Sequence, residues 1–388
     1  MRILFIVQNI IGQGTFLRAF ELAKALGKLD HSVTILASSR QILKRPEVII
    51  HDGVQIVSVS NFFPGPTRSG WDVYNLLVRK KLIRSLQFDI VHGFESRPTV
   101  IFPALLLRRK GIPLFLDWAD WFGKGGSVEE RPNPILRNVL RPIESFFENH
   151  YRIHPLGTTV ICKTLEKRAN EFGVNRDRLC LLYNGFNSEH ISILPVQIAK
   201  RNCGLDSKFT YIGYLGSFFQ NDAILAAKAI NHLRLHQRNI KLIHIGSSNY
   251  HLGPHINDPD SIIETGPINY KDLNNFLSSC DVFWLPMKNS NANQGRFPIK
   301  FTDYLSHGRP IVCTNVGDIP NFVNKYKTGL VTNDAPEEIS SATSEILANS
   351  SVQKNMKINA LNLSNNPDHS WVSRAKDLLS FYNQTIQG

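Results

Sequence analysis

Residues 294–320 read QGRFPIKFTDYLSHGRPIVCTNVGDIP, and the fold turns on how this stretch is understood. A polar loop carrying Gly295 and Arg296 passes through Phe297-Pro298 into a short amphipathic helix, Lys300 to Ser306. Gly308 ends the helix, because glycine takes the left-handed conformation of a C-terminal cap without steric cost. Ile311-Val312-Cys313 is then a short apolar run with the pattern of a buried strand. Charged groups at a helix start, just beyond the carboxyl ends of parallel strands, are where open α/β sheets bind ligands. An ordinary αβ unit with solvated charges has the same local pattern, so the surrounding chain must decide.

Outward from this stretch, the second half alternates strand and helix throughout. Thr210–Leu215 reads as a strand, Gly216–Asn221 as a loop and Asp222–Leu235 as a helix. Further strands follow at 240–245 (ending in Gly246), at 261–264 (ending in Gly266-Pro267) and at 281–286. The first half repeats the arrangement. Arg2–Val7 is a β-branched strand, Gln8–Gly14 a loop and Thr15–Lys28 a helix with an apolar face of Phe16, Ala19, Phe20, Ala23 and Leu26. His31–Ala37 completes a βαβ unit, so the sheet is parallel. Gly12 and Gly14 leave the helix start open to a phosphate, although glycines serving only a tight turn would look the same. The segment is not GxGxxG, so dinucleotide binding is a weak reading. Strands also read at 88–92, 113–117, 159–161 and 179–182, and the linker falls in 188–199 around Pro195.

Composition narrows the function classes. The 388 residues exceed one ordinary core, and two domains are expected. The longest clean apolar stretch, Thr99–Leu107, contains Pro103 and is far short of the roughly 20 residues a membrane span needs. The apolar start Met1–Val7 runs into a glycine turn without a small-residue cleavage site, and reads as a first strand, not a leader. The five cysteines are scattered without CxxC spacing, which fits a reducing cytoplasm and neither a disulfide framework nor a metal site. The formal charge of +12 is uneven: residues 1–185 hold 26 Lys/Arg against 16 Asp/Glu, and residues 186–388 hold 18 against 16. A basic first half points to an anionic partner such as acidic lipid or a phosphorylated acceptor. Nucleic acid ranks last, because no recognisable reader motif is present. The 73–86 segment sets Val73, Leu76, Leu77 and Ile83 against Arg79, Lys80, Lys81 and Arg84. That pattern suits either an interfacial helix on anionic lipid or a solvated basic face.

Two first-half strands end in polar groups. Phe88–His92 leads to Glu95, and Pro113–Asp117 leads to Trp118-Ala119-Asp120-Trp121. Carboxylates and a histidine at the carboxyl ends of parallel strands are candidates for binding or catalysis. Asp117 and Asp120 beside tryptophan faces suit a sugar or another polyol, and equally suit helix capping. The 123–127 run reads as a mobile loop over the same site.

In order and spacing, MRILFIVQNIIGQGTFLRAFELAKAL (1–26), DHSVTIL (30–36), DIVHGFE (89–95), VICKTLEKRA (160–169), LLYNGFN (181–187), YLGS (214–217), GPI (266–268), DVFWLP (281–286) and KFTDYLSHGRPIVCTNVG (300–317) resemble the GT-B glycosyltransferases of family 4. The resemblance covers nearly the whole chain. It implies an α/β fold class of GT-B type, two Rossmann-like domains with parallel sheets facing across a cleft. Residues 1–190 would be the acceptor-side domain and 200–370 the nucleotide-sugar domain. A closing helix, 371–388, would pack back toward the first. It further implies a retaining, metal-independent transferase acting on a hydroxyl acceptor (a glycan, lipid-linked or small molecule), in polysaccharide biosynthesis; the cysteines place it in the cytoplasm, and the basic first half leaves open a peripheral contact with the inner face of the membrane. No cofactor would be permanently bound, and a UDP-, GDP- or dTDP-sugar would be the donor substrate.

Carried over by motif, Pro298-Ile299-Lys300 matches the family's Pro-x-Lys variant, so Lys300, helped by Arg296, is expected to neutralise the donor diphosphate. Of the family's two signature glutamates the second falls on Asp303, a ribose ligand, and the first on Gly295, which cannot hold a sugar. Ser217, Gln220 and Asn221 stand where a basic pair is usual. Gly12, Gly14, Gly216, Ser217 and Ile268 are expected to border the donor. Asp117 stands nearest the family's sugar-reaching histidine and is expected to be catalytic with Lys300. His92, Glu95, Asp120 and Trp121 are expected on the acceptor side. Two other activities share the architecture, a catalytically silent binding subunit and a nucleotide-sugar epimerase.

Overall fold

The computed structural model describes residues 1–62, 70–186, 193–248 and 250–387. The chain forms two compact units. One comprises residues 1–185, 295–297 and 371–388, and the other residues 186–294 and 298–370. The short Gly295–Phe297 segment thus belongs with the first unit although its neighbours in sequence do not.

The first unit holds an eight-stranded sheet: β1 Arg2–Ile10, β2 Ser32–Ser38, β3 Glu47–His51, β4 Val54–Val59, β5 Ile90–Phe94, β6 Leu114–Trp118, β7 Gly157–Val160 and β8 Leu179–Leu181. Its spatial order is β3-β4-β2-β1-β5-β6-β7-β8. All pairings are parallel except the β3–β4 hairpin, which turns at Asp52-Gly53. Both turn residues have positive φ, the requirement of a tight two-residue hairpin. β1 extends three residues beyond the expected Val7, which shortens the following loop. Its interior residues Ile3 to Val7 are fully covered on both faces, as a central parallel strand requires.

The second unit holds a six-stranded parallel sheet: β9 Thr210–Leu215, β10 Ile240–Ile245, β11 Ile262–Glu264, β12 Val282–Leu285, β13 Ile311–Thr314 and β14 Gly329–Thr332, in the order β11-β10-β9-β12-β13-β14. Its core packs Ile212, Leu242, Val282, Trp284 and Val312 of the sheet against Ala226, Ile230 and Leu233 of the helix Gln220–Arg234. In each sheet the chain order reverses beside the first strand, between β1 and β5 and between β9 and β12. These switch points are where a doubly wound sheet leaves a crevice for ligand.

Several expectations change. The 73–86 segment is a helix over Val73–Leu82, but Arg79 is on its buried side and not on a basic outer face. Arg79 donates to the carbonyls of Val7 (2.8 Å) and Thr99 (3.2 Å) and to Ser38 Oγ (3.1 Å), while Val73 and Leu77 are exposed. Burial lowers its pKa to about 9, still cationic at neutral pH. The 123–127 run is not a free loop. Glu148 accepts from the Phe122 and Gly123 amides at 2.9 and 2.8 Å, and Ser145 Oγ accepts from Lys124 N at 2.8 Å. Residues 63–69 of the Pro/Gly-rich loop and residues 188–192 of the linker lie outside the described residues, and 196–202 form a helix, Val196–Asn202. The closing helix Trp371–Gln387 belongs to the first unit, where Phe381 and Tyr382 pack on Phe115 of β6.

Candidate functional site

In the second unit the site is built at the carboxyl ends of β9 and β10. Gly216 follows β9 with φ 78°, a conformation that strains any residue with a Cβ. It passes 3.6 Å from the Cβ position of Gly246, which turns the chain after β10. Its amide donates to the Ile245 carbonyl at 2.8 Å, and its own carbonyl lies 2.9 Å from His244 Nε2. Two strand ends are thereby tied together, with little side chain between backbone and solvent.

Lys300 opens the helix Lys300–Ser306, and its ammonium lies 3.9 Å above the Tyr214 ring. The ring's negative face attracts the cation. A Cβ at Gly216 would lie 3.8 Å from Lys300 Nζ, so the cation stands directly over the glycine turn. Asp303, one turn on and half-buried, shares that face of the helix. Tyr304, unremarked in the sequence, fixes the helix to the sheet. Its hydroxyl accepts from the Leu215 amide at 2.9 Å, and its ring stacks on Phe283 at 4.1 Å. Ser217 Oγ donates to the Ser247 carbonyl at 2.9 Å. Ile268 is half-buried in the loop after β11, beyond the Gly246–Gly266 bridge.

The first unit places its candidates differently. Gly12 and Gly14 form the turn between β1 and the helix Thr15–Gly27. Gly14 has a positive φ of 54°, which favours glycine, and a Cβ there would also displace the Asn9 side chain, whose Nδ2 would lie 2.6 Å away. Asp117 is fully buried and engaged by Arg18, which donates from Nε at 3.0 Å and Nη2 at 2.9 Å, and by Thr159 Oγ1 at 2.5 Å. Burial pushes this carboxyl up, but Arg18 and Thr159 outweigh it and the pKa falls below the usual aspartate value. Arg18 also donates to the Leu182 carbonyl and Asn184 Oδ1. Asp117 is thus a sealed, paired carboxylate that ties β6 to the helix Thr15–Gly27 and to β7.

His92 and Glu95 are likewise interior. His92 Nδ1 lies 2.5 Å from Tyr382 Oη and Nε2 lies 3.3 Å from Thr159 Oγ1. Burial lowers its pKa to about 4, partly opposed by Asp117, so it is neutral at pH 7. Glu95, at φ 73°, accepts from the Ala119 amide at 2.8 Å and pairs with Arg152 at 2.8 Å. Burial nevertheless raises its carboxyl to about 8.

Asp120 and Arg296 meet. Arg296 pairs with Glu130 at 2.7 Å and Asp120 at 3.4 Å, which is why 295–297 joins the first unit. Protein packed around Asp120 raises its pKa against the pull of Arg296. One Trp121 face is covered by the Arg168 guanidinium at 3.8 Å, and its Nε1 donates to the Lys124 carbonyl at 3.1 Å.

Arg18, Arg152 and Glu148 are the charged residues that sequence reasoning missed. Arg18 had a signal: it stands four residues before Leu22 and eight before Leu26 on the buried side of its helix. Among the described residues, no group of three or more His, Cys, Asp or Glu is arranged to hold a metal ion.

Two parallel-sheet units, each with a glycine turn beside its switch point, define the GT-B fold. Solved structures share it. Sucrose-phosphate synthase from Thermosynechococcus elongatus matches with a TM-score of 0.78 at 14% identity, over 100% of this chain and 99% of that one. WaaG, a glycosyltransferase involved in lipopolysaccharide biosynthesis, matches with a TM-score of 0.74 at 14% identity, over 97% and 99%. HepE of Anabaena, solved with UDP and glucose, matches with a TM-score of 0.70 at 13% identity, over 99% of each chain. A model of Glycosyltransferase Family 4 matches residues 13–190, and a model of Glycosyl transferases group 1 matches residues 209–349. The chain belongs to the family-4-like GT-B glycosyltransferases. TuaH of Bacillus subtilis (strain 168), named for teichuronic acid biosynthesis and glycosyl transfer, is 30% identical over 87 residues, 22% of each protein. The match thus spans about a fifth of that relative.

Proposed function

We propose that this protein transfers a sugar from a nucleotide-sugar donor to a hydroxyl acceptor, with retention at the anomeric carbon. The observation that carries the reading is the Lys300–Asp303 face beside the Gly216 turn. A diphosphate gains negative charge as its bond to the sugar breaks, and a cation waiting there stabilises the transition state. Lys300 supplies that charge, so the reaction needs no metal ion. Asp303 accepts hydrogen bonds from ribose hydroxyls. The Gly216–Ser217 backbone lies along the phosphates, and Ile268 borders the base.

The chemistry is a displacement on one face of the sugar. The anomeric carbon–oxygen bond to the diphosphate breaks, and a bond to the acceptor oxygen forms on the same side. The acceptor proton passes to the departing phosphate oxygen, so no side chain acts as nucleophile. Arg296, held by Glu130 and Asp120, positions the loop ahead of Lys300 and leaves the diphosphate to the lysine. Asp117 is a positioning residue, and among the acceptor-side candidates only Asp120 and Trp121 retain exposed surface. Five free cysteines fit a cytoplasmic setting, and association with polysaccharide biosynthesis follows the naming of TuaH and WaaG.

A second reading, a silent binding subunit, is favoured by Gly295 at a sugar-binding position and by the engagement of Arg296. Thermal unfolding with UDP, GDP and dTDP separates the two. A ligand that binds the folded state raises the midpoint by mass action, and one nucleotide is expected to do so. No shift with any of them would support the silent subunit.

A further inference from the structure

The helix Pro134–Arg152 is turned inside out. Both of its carboxylates, Glu144 and Glu148, and its last arginine, Arg152, spaced by four, face the interior and are all but fully buried, while Arg137 and Arg141 stay partly exposed. Arg97 and Arg131 pair with Glu144 at 2.8 and 3.1 Å. Glu148 accepts from Trp118 Nε1 at 3.1 Å and lies 3.4 Å from Arg168. Arg152 donates to Glu95 and to the Asp117 carbonyl at 2.7 Å. These partners fix the rotation of the helix, because turning it would strip buried charges of their counterions. The apolar stripe is therefore left outside: Ile135 is 76% exposed, Val139 56% and Phe146 51%, with Leu136, Ile143 and Ile153 also exposed.

We propose that this face docks on an anionic phospholipid bilayer. Both acidic residues of the helix are inside, so its solvent face carries no carboxylate. Next to it lies a cationic rim. The helix Pro98–Arg108 packs on it through Phe102 against Phe147 and Tyr151, and ends in exposed Arg108, Arg109 and Lys110. Leu105, Arg108, Arg109, His150, Tyr151 and His154 line one surface depression where the two helices meet. Apolar side chains that sink to the acyl boundary, beside arginines at headgroup level, are the anatomy of an interfacial helix. A second copy fits less well, because it would bring two arginine rims together. The contact expected of the 73–86 segment thus moves to a different helix.

Flotation of the full chain with phosphatidylcholine vesicles, with and without phosphatidylglycerol, tests this. Wild type is expected to float with the anionic vesicles. Ile135→Ser/Val139→Ser/Phe146→Ser should lower that partition at least about tenfold, and Arg108→Ala/Arg109→Ala should lower it on phosphatidylglycerol vesicles. These positions are exposed, so both variants should melt with the wild type. Three results would overturn the proposal: wild type floating equally with both vesicle types or with neither, a triple variant that floats like wild type, or a triple variant that converts an oligomer to a monomer.

Discussion

Replacing Arg18 by alanine tests whether the interior of the first unit depends on the pair it forms with Asp117. Arg18 is 3% exposed and Asp117 0%, and the guanidinium also serves Leu182 and Asn184. Removing it leaves a buried carboxylate whose charge is met only by the Thr159 hydroxyl and more distant groups. Breaking a buried pair from one side typically costs about 3–5 kcal/mol. The pH dependence has a defined sign. In the wild type Arg18 holds the folded-state pKa of Asp117 below its unfolded value, so the pair's contribution is present above that unfolded value and fades as pH falls through the folded one. In the variant burial is opposed only by Thr159 and His92 and raises that pKa, so the penalty is largest near neutrality and shrinks on acidification. Urea unfolding followed by tryptophan fluorescence is the assay, because Trp71, Trp118, Trp121 and Trp371 all lie in the first unit. A loss under about 1 kcal/mol, the range of an exposed pair, would refute the reasoning.

Two further outcomes follow from other buried groups. His92 has a folded pKa near 4 against an ordinary 6.5, so the stability it contributes is present above 6.5 and is lost as pH falls toward 4. His92→Phe should flatten the thermal midpoint between those limits, and an unchanged slope would contradict the assignment. Gly216→Ala forces a side chain into φ 78° and costs on the order of 1–3 kcal/mol. It also sets a methyl 3.8 Å from Lys300 Nζ, so nucleotide affinity by calorimetry should fall; unaltered affinity would move the donor elsewhere.

The parallel sheets and the Lys300–Ser306 helix were legible because period-two and period-3.6 patterns there agree with burial. The helix Pro134–Arg152 was not, since its apolar residues face out and its charges in. The counterions that reverse it (Arg97, Arg131 and Arg168) come from outside the helix, so its own periodicity carries no sign of them. The same distance hid the true environment of Asp117, whose partner Arg18 is 99 residues away. A local view of Asp117 and Asp120 shows carboxylates beside tryptophans; only the fold shows that cations already hold them. The hairpin of β3 and β4 did carry a local signal, Asp52-Gly53 between alternating runs, which the βα rhythm overshadowed.

The most direct test is sugar transfer by Lys300→Ala across a panel of nucleotide sugars, with Lys300→Arg in parallel. Loss of one cation at a leaving diphosphate is expected to slow turnover about 100-fold or more, with partial recovery in the arginine variant. Turnover by Lys300→Ala within a few-fold of wild type would contradict the assignment of the diphosphate to Lys300.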